Sequence, residues 1–283
     1  MSRILLSGAS GFIGKALADH LVSQGDEVVK LSLRSKISQE LNNFDAVIHL
    51  AGEPLVPGRW TASKRSKILQ SRAEGTHQLA VSLSKISTPP KVFICASAIG
   101  YYGDRGDELL MERSSPGQNF LSKVCVEWEQ ASSPLQNLGI RVVHTRFGMV
   151  LGAGGGALQK MLLPFQLGLG AILGSGKQWV SWVELYDLIS AIEFILKTDT
   201  LEGPINIVAP EAIRQEVFAK TLGEILHRNV FLRMPVWLVK LLFGQMGEEM
   251  LLVSERVVPE KLVASGFKFT YSNLRDALKS QAM

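Results

Sequence analysis

The sequence predicts an α/β protein built on a doubly wound parallel sheet. Short, wholly apolar runs alternate along the first 150 residues with stretches of helical periodicity, and a glycine-rich turn directly follows the first run. Strands that are apolar throughout are typical of parallel sheets covered by helices on both faces. The 283 residues are 46% hydrophobic and 20% charged, which is the composition of a globular protein and excludes a disordered or collagen-like chain.

Six apolar runs are predicted as strands. They cover residues 4–6, 28–31, 46–50, 91–96, 140–145 and 204–208. Helices are predicted where apolar residues recur three and four positions apart. The first helix carries Ile13, Leu17 and Leu21 on one face and is closed by Gly25. Further helices are predicted at 62–85, 121–138, 157–169 and 185–196, followed by a mostly helical tail.

The glycine-rich turn reads Gly8-Ala-Ser-Gly11-Phe-Ile-Gly14 and opens the first helix. Gly8 allows the tight turn, Gly11 lets a pyrophosphate approach the backbone, and Gly14 lets the helix pack closely on the sheet. The helix N-terminus adds unpaired N–H groups and a partial positive charge. The alternative is a structural turn without a ligand. We predict a dinucleotide site with contacts from Gly8, Ser10, Gly11, Phe12, Ile13 and Gly14.

The end of the second strand indicates which dinucleotide binds. The run from Lys30 to Lys36 contains Ser32 and Arg34 and no acidic residue. A carboxylate there would hydrogen-bond the ribose of NAD but repel the 2′-phosphate of NADP, which Ser32 and Arg34 can bind. We therefore predict NADP (NADPH), with a solvated Arg34 as the alternative. The connection from residue 33 to 45 is barely long enough for a crossover helix. The sequence therefore does not determine which residues contact the adenine, or the exact role of Arg34.

The order of the elements predicts two domains. Residues 1–150 are expected to form a Rossmann-like NADP-binding domain, completed by sheet segments around 177–208. Residues 151–283 are expected to form a smaller, mostly helical C-terminal domain, because regular alternation ends near residue 150. Ligands bind at such domain junctions and where the strand order reverses, so the cleft between the domains is the expected site of a small-molecule substrate.

Several function classes are excluded by composition and spacing. The net charge is +4 with no basic cluster, which argues against a nucleic-acid-binding protein. The two cysteines, Cys95 and Cys125, and the five dispersed histidines lack the spacing of metal ligands. No apolar run is long enough to span a bilayer, and the N-terminus reads as a strand and not a signal peptide. We expect a cytoplasmic protein without a metal or a membrane segment; the oligomeric state is left open.

Further motifs resemble a known family. The resemblance is carried by Val47-Ile-His-Leu-Ala-Gly-Glu53, Ala98-x-Gly-Tyr-Tyr-Gly103, Val150-Leu-Gly-x-Gly-Gly-Gly156, Leu163-Pro-Phe-x-Leu-Gly-Leu-Gly170, Gly174-Ser-Gly-x-Gln178 and Ser254-x-x-Val257-x-Pro259. Together they look like the atypical extended short-chain dehydrogenase/reductases called epimerase family proteins. These resemble nucleotide-sugar epimerases and carry a C-terminal domain of unassigned function. The resemblance covers nearly the whole chain and implies an NADP-binding domain, but no particular substrate.

The resemblance also implies cofactor contacts outside the glycine turn. Leu50, Ala51 and Gly52 end the third strand and would pass beside the adenosine ribose, and Lys67 and Arg72 lie on the helix that flanks the groove. Val150 would line the nicotinamide pocket through its backbone, and Ser97 ends the neighbouring strand near the nicotinamide. For Arg72 the alternative is a solvated helix face. His49 is expected to be a packed residue and not a base.

The catalytic residues of the superfamily are only partly matched. Its active members use a serine or threonine with a Tyr-x-x-x-Lys pair, in which the lysine lowers the pKa of the tyrosine. Here Asn119 stands four residues before Lys123, and Ala98 occupies the serine position with Ser97 one residue early. Tyr101 and Tyr102 are the substitute proton donors, although packing in their loop is the alternative for both. The candidate substrate contacts are Glu53, Arg146, Gln178 and Trp182.

Two functions fit these observations. The first is an NADP-dependent oxidoreductase or epimerase with a non-standard proton donor, because the cofactor itself carries the hydride. The second is a non-catalytic NADP(H)-binding sensor or partner-binding protein. The asparagine at position 119 favours the second function. The motifs from Gly148 to Gly156 and around Trp182 indicate a small-molecule pocket and favour the first.

Overall fold

A computed structural model describes residues 1–33, 41–56 and 58–282. The strands are β1 (Arg3–Ser7), β2 (Glu27–Leu31), β3 (Ala46–His49), β4 (Val92–Ala98), β5 (Leu109–Leu110), β6 (Arg141–Phe147), β7 (Met149–Leu151), β8 (Ala171–Leu173), β9 (Trp179–Val180), β10 (Trp182–Glu184), β11 (Gly203–Ile207), β12 (Ile213–Arg214), β13 (Leu232–Met234) and β14 (Arg256–Val257). The α-helices are α1 (Phe12–Ser23), α2 (Ala62–Leu83), α3 (Phe120–Gln130), α4 (Gly156–Gln166), α5 (Leu185–Lys197), α6 (Gln215–Ile225), α7 (Val236–Phe243), α8 (Glu260–Ala264) and α9 (Leu274–Ala282).

The central sheet has the strand order β11-β6-β4-β3-β1-β2, and all five neighbouring pairs are parallel. This confirms the doubly wound parallel sheet predicted from the sequence. The chain runs outward from β1 to β2 and then returns to the other side of β1 for β3. The direction of winding therefore reverses between β1 and β3, and a ligand is expected at the carboxyl ends of these two strands.

Helices cover both faces of the sheet because successive residues of each strand point to opposite sides. Ile4 and Leu6 of β1 lie in a core with α1 and α5, whereas Leu5 between them lies in a second core with α2 and α3. All three side chains are at most 1% exposed. The uninterrupted apolar composition of the strands thus reflects burial on two sides.

The structure differs from the predicted secondary structure in two places. The helix predicted at 121–138 ends at Gln130, and a separate 3₁₀ helix covers Ser133–Leu138, with Pro134 in its first turn. Proline has no N–H group and cannot continue an α-helix from the preceding turn. The six predicted strands do not include β8, which pairs in parallel with β13. That pairing joins segments sixty residues apart, so no local pattern reveals it.

The later part of the chain forms a third core and then returns to the sheet. Helices α4, α6 and α9 pack together around Trp182, which is fully buried. Between α6 and α9 along the chain, β14 pairs with β5, and Leu262 of α8 packs in the core beside α1 and α5. Within the described ranges, no helix combines the length and apolar character needed to cross a membrane.

The segment that contains Thr270 and Tyr271 is bound to the start of α5 through the side chain of Asp187. Its two carboxylate oxygens accept hydrogen bonds from Thr270 N at 2.9 Å and Tyr271 N at 2.8 Å, and the side chain is 1% exposed. A buried carboxylate can replace its lost hydration in this way, and each such bond contributes more than a neutral one.

We expect Asp187→Ala to lower the free energy of unfolding by about 3 kcal/mol, because the backbone N–H groups of Thr270 and Tyr271 lose a charged acceptor. Urea denaturation measures the change. The matched control is Asp199→Ala, whose carboxylate is 99% exposed, and it should change stability by less than about 0.5 kcal/mol. An equal change in the free energy of unfolding for the two substitutions would show that the Asp187 hydrogen bonds do not stabilise the fold.

Candidate functional site

The turn between β1 and α1 is pressed against the chain that leaves β3. Gly8 has φ +77°, and a Cβ atom placed on it would lie 2.6 Å from the carbonyl carbon of Leu50 and 2.7 Å from Ala51 N. Leu50 N donates a hydrogen bond to Ser7 O at 3.1 Å. Only glycine satisfies both the backbone angle and the close approach. The turn therefore lies at the reversal of winding between β1 and β3.

The first turn of α1 is arranged differently at its other two glycines. A Cβ atom on Gly14 would lie 2.1 Å from Gly8 O, so this glycine holds the helix against the turn. Gly11 has the ordinary φ of −77°, and the nearest described atom to a Cβ there would be Gly8 O, at 3.3 Å. Gly11 is exposed and no described side chain caps the helix. Its first N–H groups are thus available to an anion such as pyrophosphate.

Phe12 closes one side of this turn. Cβ atoms on Gly152 and Gly155 would lie 2.5 and 2.6 Å from its ring. The ring therefore packs under the loop that follows β7, and Phe12 is left to contact a cofactor through its backbone. Val150 lies in β7, and its carbonyl oxygen is 3.4 Å from a Cβ atom on Gly156. Gly152 and Gly155 carry no side chain because the phenyl ring of Phe12 occupies that space.

The segment after β3 brings Gly52 and Arg72 together. The Arg72 guanidinium carbon would be 3.2 Å from a Cβ atom on Gly52, and Nη1 donates to Glu53 O at 2.9 Å. The same guanidinium lies 5.0 Å from the Trp128 ring centroid, and burial lowers the pKa of Arg72. Arg72 is therefore half-buried beside the predicted ribose position and is not a solvated helix residue.

The other predicted contacts around this groove are more exposed. Lys67 lies on an exposed face of α2, and Ser32 is exposed just after β2. Glu53 accepts a hydrogen bond from Lys64 at 2.7 Å, which lowers the pKa of its carboxyl group. Arg34 lies outside the described residues.

His49 forms part of the floor beneath the turn. Its Nδ1 lies 2.5 Å from Ser7 Oγ and its Nε2 lies 2.9 Å from Thr76 Oγ1, and the side chain is fully buried. Burial lowers the pKa of His49 to about 4. The imidazole is thus neutral at physiological pH and links β1, β3 and α2. This confirms the expectation that His49 is a packed residue.

A buried ion pair lies at the carboxyl ends of β4 and β6. Glu129 accepts hydrogen bonds from Nε and Nη2 of Arg146, both at 2.8 Å, and from Ser97 Oγ at 2.7 Å. Ser97 and Arg146 are each 2% exposed. Burial opposes the charge on Arg146, but the hydrogen bonds to Glu129 outweigh it and raise its pKa. Ser97, predicted near the nicotinamide, and Arg146, predicted as a substrate contact, thus both belong to this hydrogen-bond network.

Tyr102 belongs to the same network. Its hydroxyl donates to Asn206 Oδ1 at 2.7 Å and accepts from Arg146 Nη1 at 3.0 Å. The residue is fully buried, and burial raises its pKa to about 12. The enclosed hydroxyl of Tyr102 favours packing, the alternative to the prediction that this residue is a proton donor. Tyr101 remains half-buried, with its ring centroid 3.5 Å from the Arg146 guanidinium carbon.

Helix α3 explains the missing tyrosine. Asn119 caps the helix: its side-chain oxygen accepts from Ser122 N at 2.8 Å and from Ser122 Oγ at 2.7 Å. Asparagine is among the preferred capping residues. Lys123 is exposed, whereas Leu121 and Cys125 on the same helix are buried. Lys123 therefore does not take the role of a lysine that tunes a catalytic phenol.

The remaining predicted substrate contacts are structural. Trp182 is fully buried in the third core. Gln178 Nε2 donates to the carbonyl oxygens of Leu173 and Leu251, both at 3.1 Å. Sequence reasoning missed Glu129 and Asn206, which bind the predicted catalytic residues. Nothing in the sequence indicated the partners of these two residues, because Glu129 on α3, Arg146 on β6 and Asn206 on β11 are far apart along the chain.

The chain was compared with known proteins. Residues 4–208 match the NAD dependent epimerase/dehydratase family, and residues 234–281 match a domain of unknown function, DUF1731. An epimerase family protein of Mycobacterium bovis is 33% identical over 290 residues, which cover 97% of this chain and 96% of that protein. The epimerase family protein YfhF of Bacillus subtilis is 33% identical over 294 residues, with coverage of 97% and 96%.

Solved structures of an epimerase family protein and of a sugar epimerase also match this chain. The crystal structure of the human epimerase family protein SDR39U1 with NADPH matches with a TM-score of 0.94 and 34% identity, covering 99% of each chain. The nucleoside-diphosphate sugar epimerase from Corynebacterium glutamicum matches with a TM-score of 0.78 and 29% identity. That match covers 98% of this chain and 57% of the other, so this chain spans little more than half of that protein.

The neutral state of His49 predicts a pH dependence of stability. Because its pKa in the folded chain is about 4 and the unfolded value is 6.5, only the unfolded chain binds the proton between these values. Acidification from about pH 6.5 to 4 should therefore lower the free energy of unfolding, by on the order of 1 kcal/mol per pH unit from this residue. Urea denaturation of His49→Gln should show a shallower slope in this window than the native protein.

The control for this measurement is His77→Gln, because His77 is exposed on α2. It should keep the native slope. His144, whose pKa burial also lowers, adds a contribution of the same sign that both variants retain. A native slope in His49→Gln would contradict the assignment of a neutral buried imidazole.

Proposed function

The chain belongs to the NAD dependent epimerase/dehydratase family, and from this premise we propose that it is an NADP(H)-dependent oxidoreductase or epimerase whose active site lacks the usual tyrosine. The observation that carries the proposal is the glycine turn at the reversal of winding, where Gly8 is pressed against Leu50 and Ala51 and α1 begins without a side-chain cap. The proposed substrate is a small molecule in the cleft beside this turn.

The residues present fit a dinucleotide. Backbone N–H groups of Phe12 and Ile13 would hold the pyrophosphate, because a helix start without a side-chain cap attracts anions, whereas Gly11 N already donates to Gly8 O at 3.0 Å. Leu50 to Gly52 and Arg72 would flank the adenosine ribose. When bound, the cofactor supplies or accepts a hydride. The protein's own residues then have to orient the substrate and move one proton.

Selectivity for NADP is supported by charge. The segment after β2 contains Ser32, Arg34 and Lys36 without a carboxylate, so it offers hydrogen-bond donors and positive charge to a 2′-phosphate. The human relative, 34% identical over nearly the whole chain, was solved with NADPH. The buried, unpaired Cys95 and Cys125 fit the reducing conditions of the cytoplasm, where we place the protein.

A non-catalytic NADP(H)-binding protein is the second candidate. Three observations favour it: Asn119 serves as a helix cap, Ser97 is bound to Glu129, and the Tyr102 hydroxyl is enclosed. A catalytic function therefore requires a proton donor from outside the superfamily's usual set. The two candidates share the cofactor site and differ only in what lies opposite the nicotinamide.

The glycine turn can be tested with Gly11→Ala. The added methyl group meets only Gly8 O, at 3.3 Å, so the variant should fold, but it would stand where the pyrophosphate approaches. We expect an NADPH dissociation constant raised by about tenfold or more, measured by isothermal titration calorimetry. Gly75→Ala on α2, where a Cβ atom meets no described atom within 4 Å, is the control and should bind NADPH normally.

Gly14→Ala should behave differently, because its Cβ atom would lie 2.1 Å from Gly8 O. It should lower the unfolding midpoint even without a ligand. Full NADPH affinity in Gly11→Ala would reject the proposed pyrophosphate site.

Phosphate selectivity can be tested with Arg34→Ala. Removal of a positive charge should weaken the binding of NADPH more than that of NADH, by about tenfold in the ratio of dissociation constants. Lys30→Ala, which removes an exposed positive charge from β2 itself, is the control and should leave the ratio nearly unchanged. Equal losses for both dinucleotides in Arg34→Ala would remove the argument for NADP.

A further inference from the structure

A carboxyl group that the family motifs do not account for lies just before β14. Glu255 is 9% exposed and follows Ser254, whose carbonyl oxygen accepts from Arg105 N in the loop after β4. Its backbone is fixed on both sides: Glu255 N donates to Trp179 O at 3.2 Å, and Ser181 Oγ donates to Glu255 O at 2.8 Å. Ser181 O in turn accepts from Met149 N at 2.9 Å, next to the predicted nicotinamide strand β7.

The direction of the side chain follows from the alternation along the segment. Arg256 lies on the outer side, with its guanidinium carbon 4.6 Å from the Trp179 ring centroid. Val257 lies on the inner side and packs in a buried cluster with Ile99 and Tyr102 at the end of β4. Glu255 shares the inner side with Val257. It therefore lies toward the carboxyl end of β4, close enough to α3 for its negative charge to raise the pKa of Cys125.

The Glu255 carboxyl group has no hydrogen bond from any residue in ranges 1–33, 41–56 and 58–282, although it is more than nine-tenths buried. The titratable groups that face it are Asp104, in the loop after β4, and Cys125, on α3. Beyond the Cys125 thiol lie Arg72 and Glu129. Burial, and then the negative charge of Asp104, raise the pKa of Glu255 to about 8. A buried carboxyl group without a hydrogen-bond partner is costly, so its presence calls for an explanation such as a catalytic role.

We propose that Glu255 is the acid–base residue of the cleft and exchanges a proton with the oxygen of a carbonyl substrate or its alcohol product. This inference rests on the proposed NADP(H)-dependent function. In the reductive direction the carbonyl carbon gains a hydride from the dihydronicotinamide, which is thereby oxidised. The O–H bond of the Glu255 carboxylic acid breaks, and its proton forms the new O–H bond of the alcohol. Solvent then reprotonates the carboxylate.

The position of Glu255 explains how the chain dispenses with the usual tyrosine. The hydroxyls of Ser97 and Tyr102 are engaged in the ion-pair network, and Lys123 is exposed. An acid that is half-protonated near pH 8 can both give and accept a proton under physiological conditions. This acid comes from the C-terminal segment, whereas the superfamily places its phenol at the start of α3, where this chain has Asn119.

The test uses the cofactor as an electrostatic probe and needs no substrate. NADP⁺ carries a positive nicotinamide ring and NADPH a neutral one, so a carboxylate near that ring favours NADP⁺. Dissociation constants for both forms are measured by titration calorimetry at about pH 6.5 and about pH 9, on either side of the Glu255 pKa. Protonation of the 2′-phosphate is common to both forms and cancels in their ratio. Burial raises the pKa of Cys125 to about 12, so the thiol stays neutral throughout.

We expect the ratio of the NADP⁺ to the NADPH dissociation constant to fall about fivefold from the lower to the higher pH in the native protein. In Glu255→Gln the ratio should not change with pH. The control is Glu108→Gln, which removes an equal charge from an exposed position on the loop before β5 and should behave like the native protein.

The outcomes separate the two proposals. Binding of both forms with a ratio that does not depend on pH in the native protein would overturn the role of Glu255 and leave the cofactor site standing. A native pH dependence that persists in Glu255→Gln would also overturn it. Failure of either form to bind would instead reject the proposed function. If Glu255→Gln does not fold, the native measurement alone still decides whether a carboxyl group titrates beside the nicotinamide.

Discussion

The contact between Gly8 and the backbone of Leu50 and Ala51 is the constraint on which the site depends. No side chain fits between them, so the turn after β1 packs directly on the chain that leaves β3, and α1 starts where the winding reverses. Gly14 repeats the constraint one helical turn later, by its approach to Gly8 O. The buried hydrogen bonds of His49 to Ser7 and Thr76 support the turn from below. The anion-binding helix start is thus a consequence of backbone packing.

A second constraint acts at the ends of β4 and β6. The bidentate pair of Glu129 and Arg146 ties α3 to the sheet, and Ser97, Tyr102 and Asn206 complete its hydrogen bonds. A buried ion pair is tolerated only when its remaining donors and acceptors are satisfied, and removal of one partner is strongly destabilising. Residues at the positions of superfamily catalytic groups therefore serve the fold here. In our proposal Glu255 of the C-terminal segment transfers the proton instead. The pairing of β14 with β5 brings this segment to the end of β4.

The sequence predicted much of the fold because local patterns determine it. Apolar strands with helices between them define a parallel sheet, and the spacing of Gly8, Gly11 and Gly14 located the turn. The roles of Tyr102, Trp182 and Gln178 could not be predicted, because burial depends on partners far along the chain, such as Asn206 and Leu251. Phe12 was placed in the right turn, but its packing against Gly152 and Gly155 joins segments 140 residues apart. Glu255 escaped notice for the same reason: its surroundings come from β4, α3 and β9.

The central claim is that the turn between β1 and α1 binds NADPH. Hydrogen–deuterium exchange of the native protein, with and without NADPH, tests this most directly, because bound phosphate occupies the N–H groups that α1 leaves open. The account predicts slower exchange in residues 8–15 and 50–52 when NADPH is present, and no change in the exposed helix α7. Unchanged exchange in the turn, together with protection elsewhere on the surface, would contradict it.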